Sequence, residues 1–143
     1  MKRFMLSAIV PLIAAFGIAL TPAMPASATS AATCVTQDVP WPCVQVFGTG
    51  VFVVAMNGWA HNATNAQIDN LHIELHRNDP TTGQNVIIKK CAPFNLPPGA
   101  NSANCNWAPN HTELAGRYCA DVKQAITSTT YRNLGTSCVS VHS

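Results

Sequence analysis

The cysteines constrain this chain more than any other feature. Cys34, Cys43, Cys91, Cys105, Cys119 and Cys138 are its only six, an even number. None stands in a Cys-x2-Cys pair, and every spacing exceeds that of a zinc knuckle, so disulfide bracing is the better reading. Six cysteines leave about fifteen pairings open, and the order of residues selects none of them. We favour sequential pairing, Cys34–Cys43, Cys91–Cys105 and Cys119–Cys138. Loops of about ten, fifteen and twenty residues would each stabilise by roughly 3 kcal/mol at most, through chain entropy lost from the unfolded state. For a small domain with a marginal core, that contribution decides whether it folds.

Disulfides need an oxidising compartment, and the start of the chain agrees. Lys2 and Arg3 precede an uncharged apolar run, Phe4 to Leu20; Thr21-Pro22 and the small residues Ala26-Ser27-Ala28 follow. This is the order of a signal peptide over residues 1–28, cleaved after Ala28, with one domain over residues 29–143. The apolar run is shorter than the roughly twenty residues of a spanning helix. Ala31-Ala32-Thr33 before Cys34 lacks the large aliphatic residue of lipoprotein processing. We therefore expect a secreted, extracellular protein with no membrane attachment once the leader is removed. Lys2 and Arg3 leave with that leader, so the net charge of +2 falls to balance, with six basic and six acidic side chains. A basic footprint for nucleic acid is missing.

After residue 28 no stretch sustains a helical period, and prolines and glycines are spread throughout. Gly116 to Ile126 alternates, with Tyr118, Ala120 and Val122 on one side and Arg117, Cys119, Asp121 and Lys123 on the other. A second run, Tyr131 to Val141, carries Cys138. A turn at Ser128-Thr129 would set Cys119 opposite Cys138, Tyr118 opposite Val139 and Ile126 opposite Tyr131. Further strands are expected over Cys43–Phe47, Val51–His61, Leu71–His76 and Val86–Cys91, with a short one at Asn106-Trp107. Asn57-Gly58 offers a tight turn inside the second of these. Asp79-Pro80-Thr81-Thr82-Gly83 is a turn signal, and Thr29 to Pro42 reads as a polar lead-in. About seven strands at regular intervals predict an all-β, antiparallel two-sheet sandwich.

Leu114-Ala115-Gly116-Arg117-Tyr118-Cys119 resembles the penultimate strand of immunoglobulin-like domains, in which a leucine, a glycine and a tyrosine precede a cysteine. Here the tyrosine abuts the cysteine rather than standing two residues before it. The resemblance implies an immunoglobulin-like sandwich and brings no activity with it. The whole precursor is similar to the small exported, disulfide-stapled β-sandwich proteins of actinobacterial type.

Chemistry-bearing residues are few. His72-x-Glu74-x-His76 is the best metal candidate, because alternate residues project from one strand face. His72 and His76 lie about 13 Å apart along an extended strand, too far to share an ion directly, and the competing reading is a solvated strand face. The acids Asp38, Asp69, Glu74, Asp79, Glu113 and Asp121 are scattered, no serine stands in a Gly-x-Ser-x-Gly elbow, and no phosphate loop precedes a helix. No enzyme and no cofactor are expected. Trp41 and Trp107, in loop-like settings, could stack on sugar rings, while Trp59 reads as a core residue. Phe94-Asn95-Leu96-Pro97, inside the loop 92–104 clamped by Cys91 and Cys105, could be presented to a protease. Asn62-Ala63-Thr64 and Asn110-His111-Thr112 match the glycosylation acceptor pattern. The leading expectation is a non-enzymatic extracellular module that binds a protein or a cell-envelope component. A protease inhibitor and a carbohydrate binder are the alternatives.

Overall fold

The computed structural model describes residues 29–50, 52–79, 81–108, 111–112 and 115–141, without the side chains of residues 29, 30, 111 and 112. The expected leader, Glu113, Leu114 and Asn110 lie outside the described residues. Period-two alternation cut by glycine and proline produces strands and no helix among them. The strands are β1 (Thr29–Cys34), β2 (Trp41–Thr49), β3 (Phe52–His61), β4 (Ile68–Asn78), β5 (Asn85–Lys90), β6 (Phe94–Leu96), β7 (Cys105–Trp107), β8 (His111–Thr112), β9 (Gly116–Ala125) and β10 (Tyr131–Val141). No helix among the described residues is long and apolar enough to cross a membrane.

Two antiparallel sheets result. Sheet I has the order β1-β2-β3-β7, with β8 also on β3; sheet II has the order β10-β9-β4-β5, with β6 also on β4. The sandwich is therefore as expected, but its wiring is not that of an immunoglobulin domain. β2 and β3 are hairpin neighbours in one sheet, and the bridge at Cys119 lies within a hairpin, whereas the immunoglobulin bridge joins sheets. The ten strands exceed the expected seven by β1, in the segment expected as a polar lead-in, and by β6 and β8, which have only three and two residues.

Facing side chains make the core. β4 contributes Leu71, Ile73 and Leu75; β9 contributes Tyr118, Ala120 and Val122; sheet I answers with Val44, Val46, Val53, Met56 and Ala60. Asn57-Gly58 makes no turn and lies in mid-strand, because Gly58 is a point of close approach between the sheets. A Cβ there would stand 2.7 Å from Leu75 Cδ2 and 2.9 Å from the Cβ of Ala120.

Cys34 is bonded to Cys43, Cys91 to Cys105, and Cys119 to Cys138. The first joins β1 to β2 and the third β9 to β10; the second ties the end of β5 in sheet II to β7 in sheet I. β1 replaces the first part of the expected lead-in: Ser30, Ala31 and Ala32 at its centre have weak strand preference, and pairing to β2 supplies what they lack. In the last hairpin Cys119 faces Cys138 and Tyr118 faces Val139, yet Tyr131 faces Ala125 rather than Ile126. A β-bulge between Asn133 and Gly135 absorbs one residue, and the Gly135 N–H donates to Asn133 Oδ1 at 3.2 Å.

Candidate functional site

The outer face of sheet II is where alternation and burial disagree. His72, Glu74 and His76 point away from the core as expected, but they are 7%, 4% and 4% exposed and not solvated. β4 lies inside the sheet with β9 on one side and β5 on the other, so long neighbouring side chains lie over its outer face. Glu74 faces Asp121 across the β4–β9 pair, an arrangement of like charges that repels. Lys123 resolves it: its Nζ donates to Glu74 Oε1 at 2.6 Å and lies 3.6 Å from Asp121 Oδ2. Lys90 Nζ reaches Glu74 Oε2 at 3.1 Å from β5. Asp121 also accepts from Thr136 Oγ1 at 2.6 Å, and His76 Nδ1 lies 3.5 Å from it.

These contacts bear on the protonation of Glu74 and His72. Burial pushes the Glu74 carboxyl up, but hydrogen bonds from Lys123 and Lys90 outweigh it and leave the group below its ordinary value. Burial, assisted by Lys123 and Lys90 and opposed by Glu74, lowers His72, so its imidazole favours the neutral form. A metal fits poorly here, because two ammonium groups already hold the Glu74 oxygens. Among the described residues no three His, Cys, Asp or Glu side chains gather where one ion could be held.

Beside this row a cleft of about 380 Å³ opens over the end of the sheet, lined by Asn70, His72, Lys90, Pro93, Thr127 and Tyr131, among others. The Tyr131 ring stands edge-on to His72, with centroids 4.6 Å apart. Asn70 takes a left-handed conformation (φ 58°), which asparagine tolerates better than most residues, and its N–H donates to Asn95 Oδ1 at 3.0 Å. On the far wall Thr127 Oγ1 accepts from the N–H groups of Thr129 and Thr130, shaping the β9–β10 turn.

The outer face of sheet I has another character. Its strands contain no Asp, Glu, Lys or Arg. Every lysine and arginine from residue 29 onward belongs to sheet II. Val44 and Val46 point into the core, so Trp41, Cys43, Gln45 and Phe47 point out, and their partners across the β2–β3 pair are His61, Trp59, Asn57 and Ala55. Trp41 and Trp59 are diagonal neighbours, half-buried, on either side of Cys43, which is only 1% exposed. The Trp41 and His61 rings lie 5.0 Å apart at 48°, and His61 Nδ1 is 2.9 Å from Asn101 Oδ1.

The expected pair of tryptophans is thus corrected. Trp107 pairs with Met56 and packs against the core from the inner side, so it does not share a surface with Trp41. Trp59, read as a core residue, takes that place, because an odd count of residues from Met56 puts it on the outer side. Within the loop 92–104, Asn95 and Pro97 are exposed, whereas their two apolar neighbours are drawn inward. Phe94–Leu96 pairs with β4, Leu96 is 1% exposed, and Phe94 packs against the core. The apolar side chains of Phe94 and Leu96 gain more from burial than from display. Asn62 is no sugar acceptor in the folded chain: it is fully buried, and its Nδ2 donates to the carbonyls of Ala66, Leu96 and Pro97. Its Oδ1 accepts from Thr64 N and Oγ1. The acceptor pattern itself hinted at Asn62, though for the wrong chemistry.

Comparison of the chain with protein-family models, with curated proteins and with solved structures gave no match.

Proposed function

We propose that this chain is an exported, non-enzymatic binding module that holds a neutral polysaccharide across the outer face of sheet I. The observation that carries this reading is the placing of Trp41 and Trp59 on one face of a sheet whose strands have no charged residue. Indole rings offer flat apolar surface to the C–H faces of pyranose rings. The amides of Gln45, Asn57 and Asn106 on the same face, and His61 beside them, are donors and acceptors for sugar hydroxyls. A neutral polymer loses nothing by meeting a face without charge, whereas an anionic one would find no counter-ion there. The rigid sheet and the Cys34–Cys43 bridge on the same face hold the rings in place before binding, which lowers its entropic cost.

Export is supported by the basic and apolar start, the Ala26-Ser27-Ala28 site and the bonded cysteines. The non-enzymatic part is supported by Glu74 and Asp121, which are engaged with lysines, His76 and Thr136, and by the lack of a free thiol.

Retention of the protein on cellulose and chitin particles, and its retardation in gels containing soluble neutral glucans, tests the reading. Binding should persist in high salt and be lost in Trp41→Ala/Trp59→Ala, while Trp107→Phe keeps it. Absence of binding to all of these polymers, or unchanged binding by the double variant, would remove the proposal.

A further inference from the structure

We infer that the cleft over sheet II is a separate site for a small aromatic carboxylate. Its lining combines the two elements that such a ligand requires. The apolar part is Tyr131, edge-on to His72, together with Pro93, Ala125 and Cys91. Among the lining residues stands a single ammonium, Lys90, whose Nζ is 3.1 Å from Glu74. Glu74 is shared, and Lys123 holds it more closely, at 2.6 Å. Lys90 is also the more exposed of the two lysines, with side-chain exposure of 56% against 23%. It can therefore turn toward an incoming carboxylate without leaving Glu74 buried and unpaired. A cation at the rim of an apolar recess favours a flat anion with a hydrophobic ring over either a neutral ring or a fully hydrated ion. The volume of about 380 Å³ suits one such molecule and not a polymer.

The floor is built rather than incidental. His72 is buried, Asn70 is fixed in a left-handed conformation by Asn95, and Thr127 closes the hairpin turn that forms the far wall. His72 and Asn70 belong to β4, Asn95 to β6 and Thr127 to the β9–β10 turn, so the cleft exists only in the folded chain. None of these residues lies on the face assigned to the polysaccharide, and the two sites are independent.

Benzoate titrated into the protein, followed by NMR at the His72 ring and at Tyr131, tests the inference. Saturable shifts confined to the cleft are expected, with the His72 titration midpoint rising as the anion binds near it, Glu74, Lys123 and Lys90 being the other charged groups around the ring. Benzamide, of the same shape without the charge, should bind at least about fivefold more weakly, as should benzoate to Lys90→Gln. Glu74 keeps Lys123 in that variant, so the fold should survive; if it does not, the benzoate and benzamide comparison on the unaltered protein still decides. Trp59→Ala should leave benzoate binding unchanged. Failure of benzoate to move His72 or Tyr131, or equal affinity for benzamide, would overturn the inference.

Discussion

The two sheets contribute the same kind of apolar face to the core and turn opposite chemistry outward. Sheet I shows indoles, amides and imidazole; sheet II shows lysines and carboxylates gathered over a buried strand. Neutral groups tolerate half-burial without dedicated partners, so the face of sheet I remains available to a ligand. Charges do not, because an unpaired carboxylate that loses water is costly. The acids on sheet II are therefore engaged internally, and the cleft that remains lies at the end of the row where Lys90 is least committed. Absence of charge marks a surface open to neutral partners, and a dense charge row marks one largely occupied with itself.

The strongest way to break this contrast is to separate the sheets. Asn62, fully buried, links the end of β3 to the carbonyls of Leu96 and Pro97 beside sheet II. Asn62→Ala strands several buried backbone groups and should cost about 4 kcal/mol in urea unfolding. A loss within error of zero would mean that packing alone holds the seam. Next comes the bridge between sheets: Cys91→Ala with Cys105→Ala should lower stability by about 3 kcal/mol. Hydrogen exchange should then rise first in β7, the short strand that the bridge retains; uniform protection would contradict this.

Lys123→Met tests the charge row itself. It leaves Glu74 facing Asp121 with Lys90 alone to compensate, and should cost about 2 kcal/mol, reduced from a fully buried pair because Lys123 is partly exposed. Adding Glu74→Gln should recover part of that loss. On sheet I the mirror experiment, Gln45→Lys, should change stability by no more than about 0.5 kcal/mol while weakening polysaccharide binding. Equal destabilisation by the two changes would erase the distinction between the faces.

The smallest effect is on acid stability. His72 is lowered in the fold, so its contribution is complete above 6.5 and declines as pH falls below it. Glu74 is also lowered, and its contribution is lost further down, as pH falls from 4.5 through the folded value. Glu74→Gln should flatten only the lower part of the profile, measured by thermal unfolding at stepped pH. An unchanged slope there would show that the two lysines do not favour the charged carboxylate.

The legible and the illegible parts of this molecule separate by range. Alternation in Leu71 to His76 gave the right faces, because side-chain direction in a strand is local. It gave the wrong environment for His72, Glu74 and His76, because burial on the outer side depends on which strands flank β4 and how far Lys90 and Lys123 reach. The hairpin register near Cys119 and Cys138 followed from spacing, and failed toward the turn where a bulge intervened. Trp59 was misplaced for a related reason: an apolar run does not say which alternate residues face inward when both sets are hydrophobic. The strap after Cys91 read as loop, since three residues pairing with β4 leave no periodic signature.

Two things, then, were written in the order of residues: that the chain is made of strands braced by cysteines, and that from residue 29 its acids and bases balance. Local stereochemistry and composition suffice for both. The association of Trp41 with Trp59, the capture of Glu74 between two lysines, the seam at Asn62 and the cleft under Tyr131 each required the pairing of segments far apart in the chain. Such pairing depends on which strands become neighbours, a choice made by the packing of the whole sandwich and by no single stretch of it.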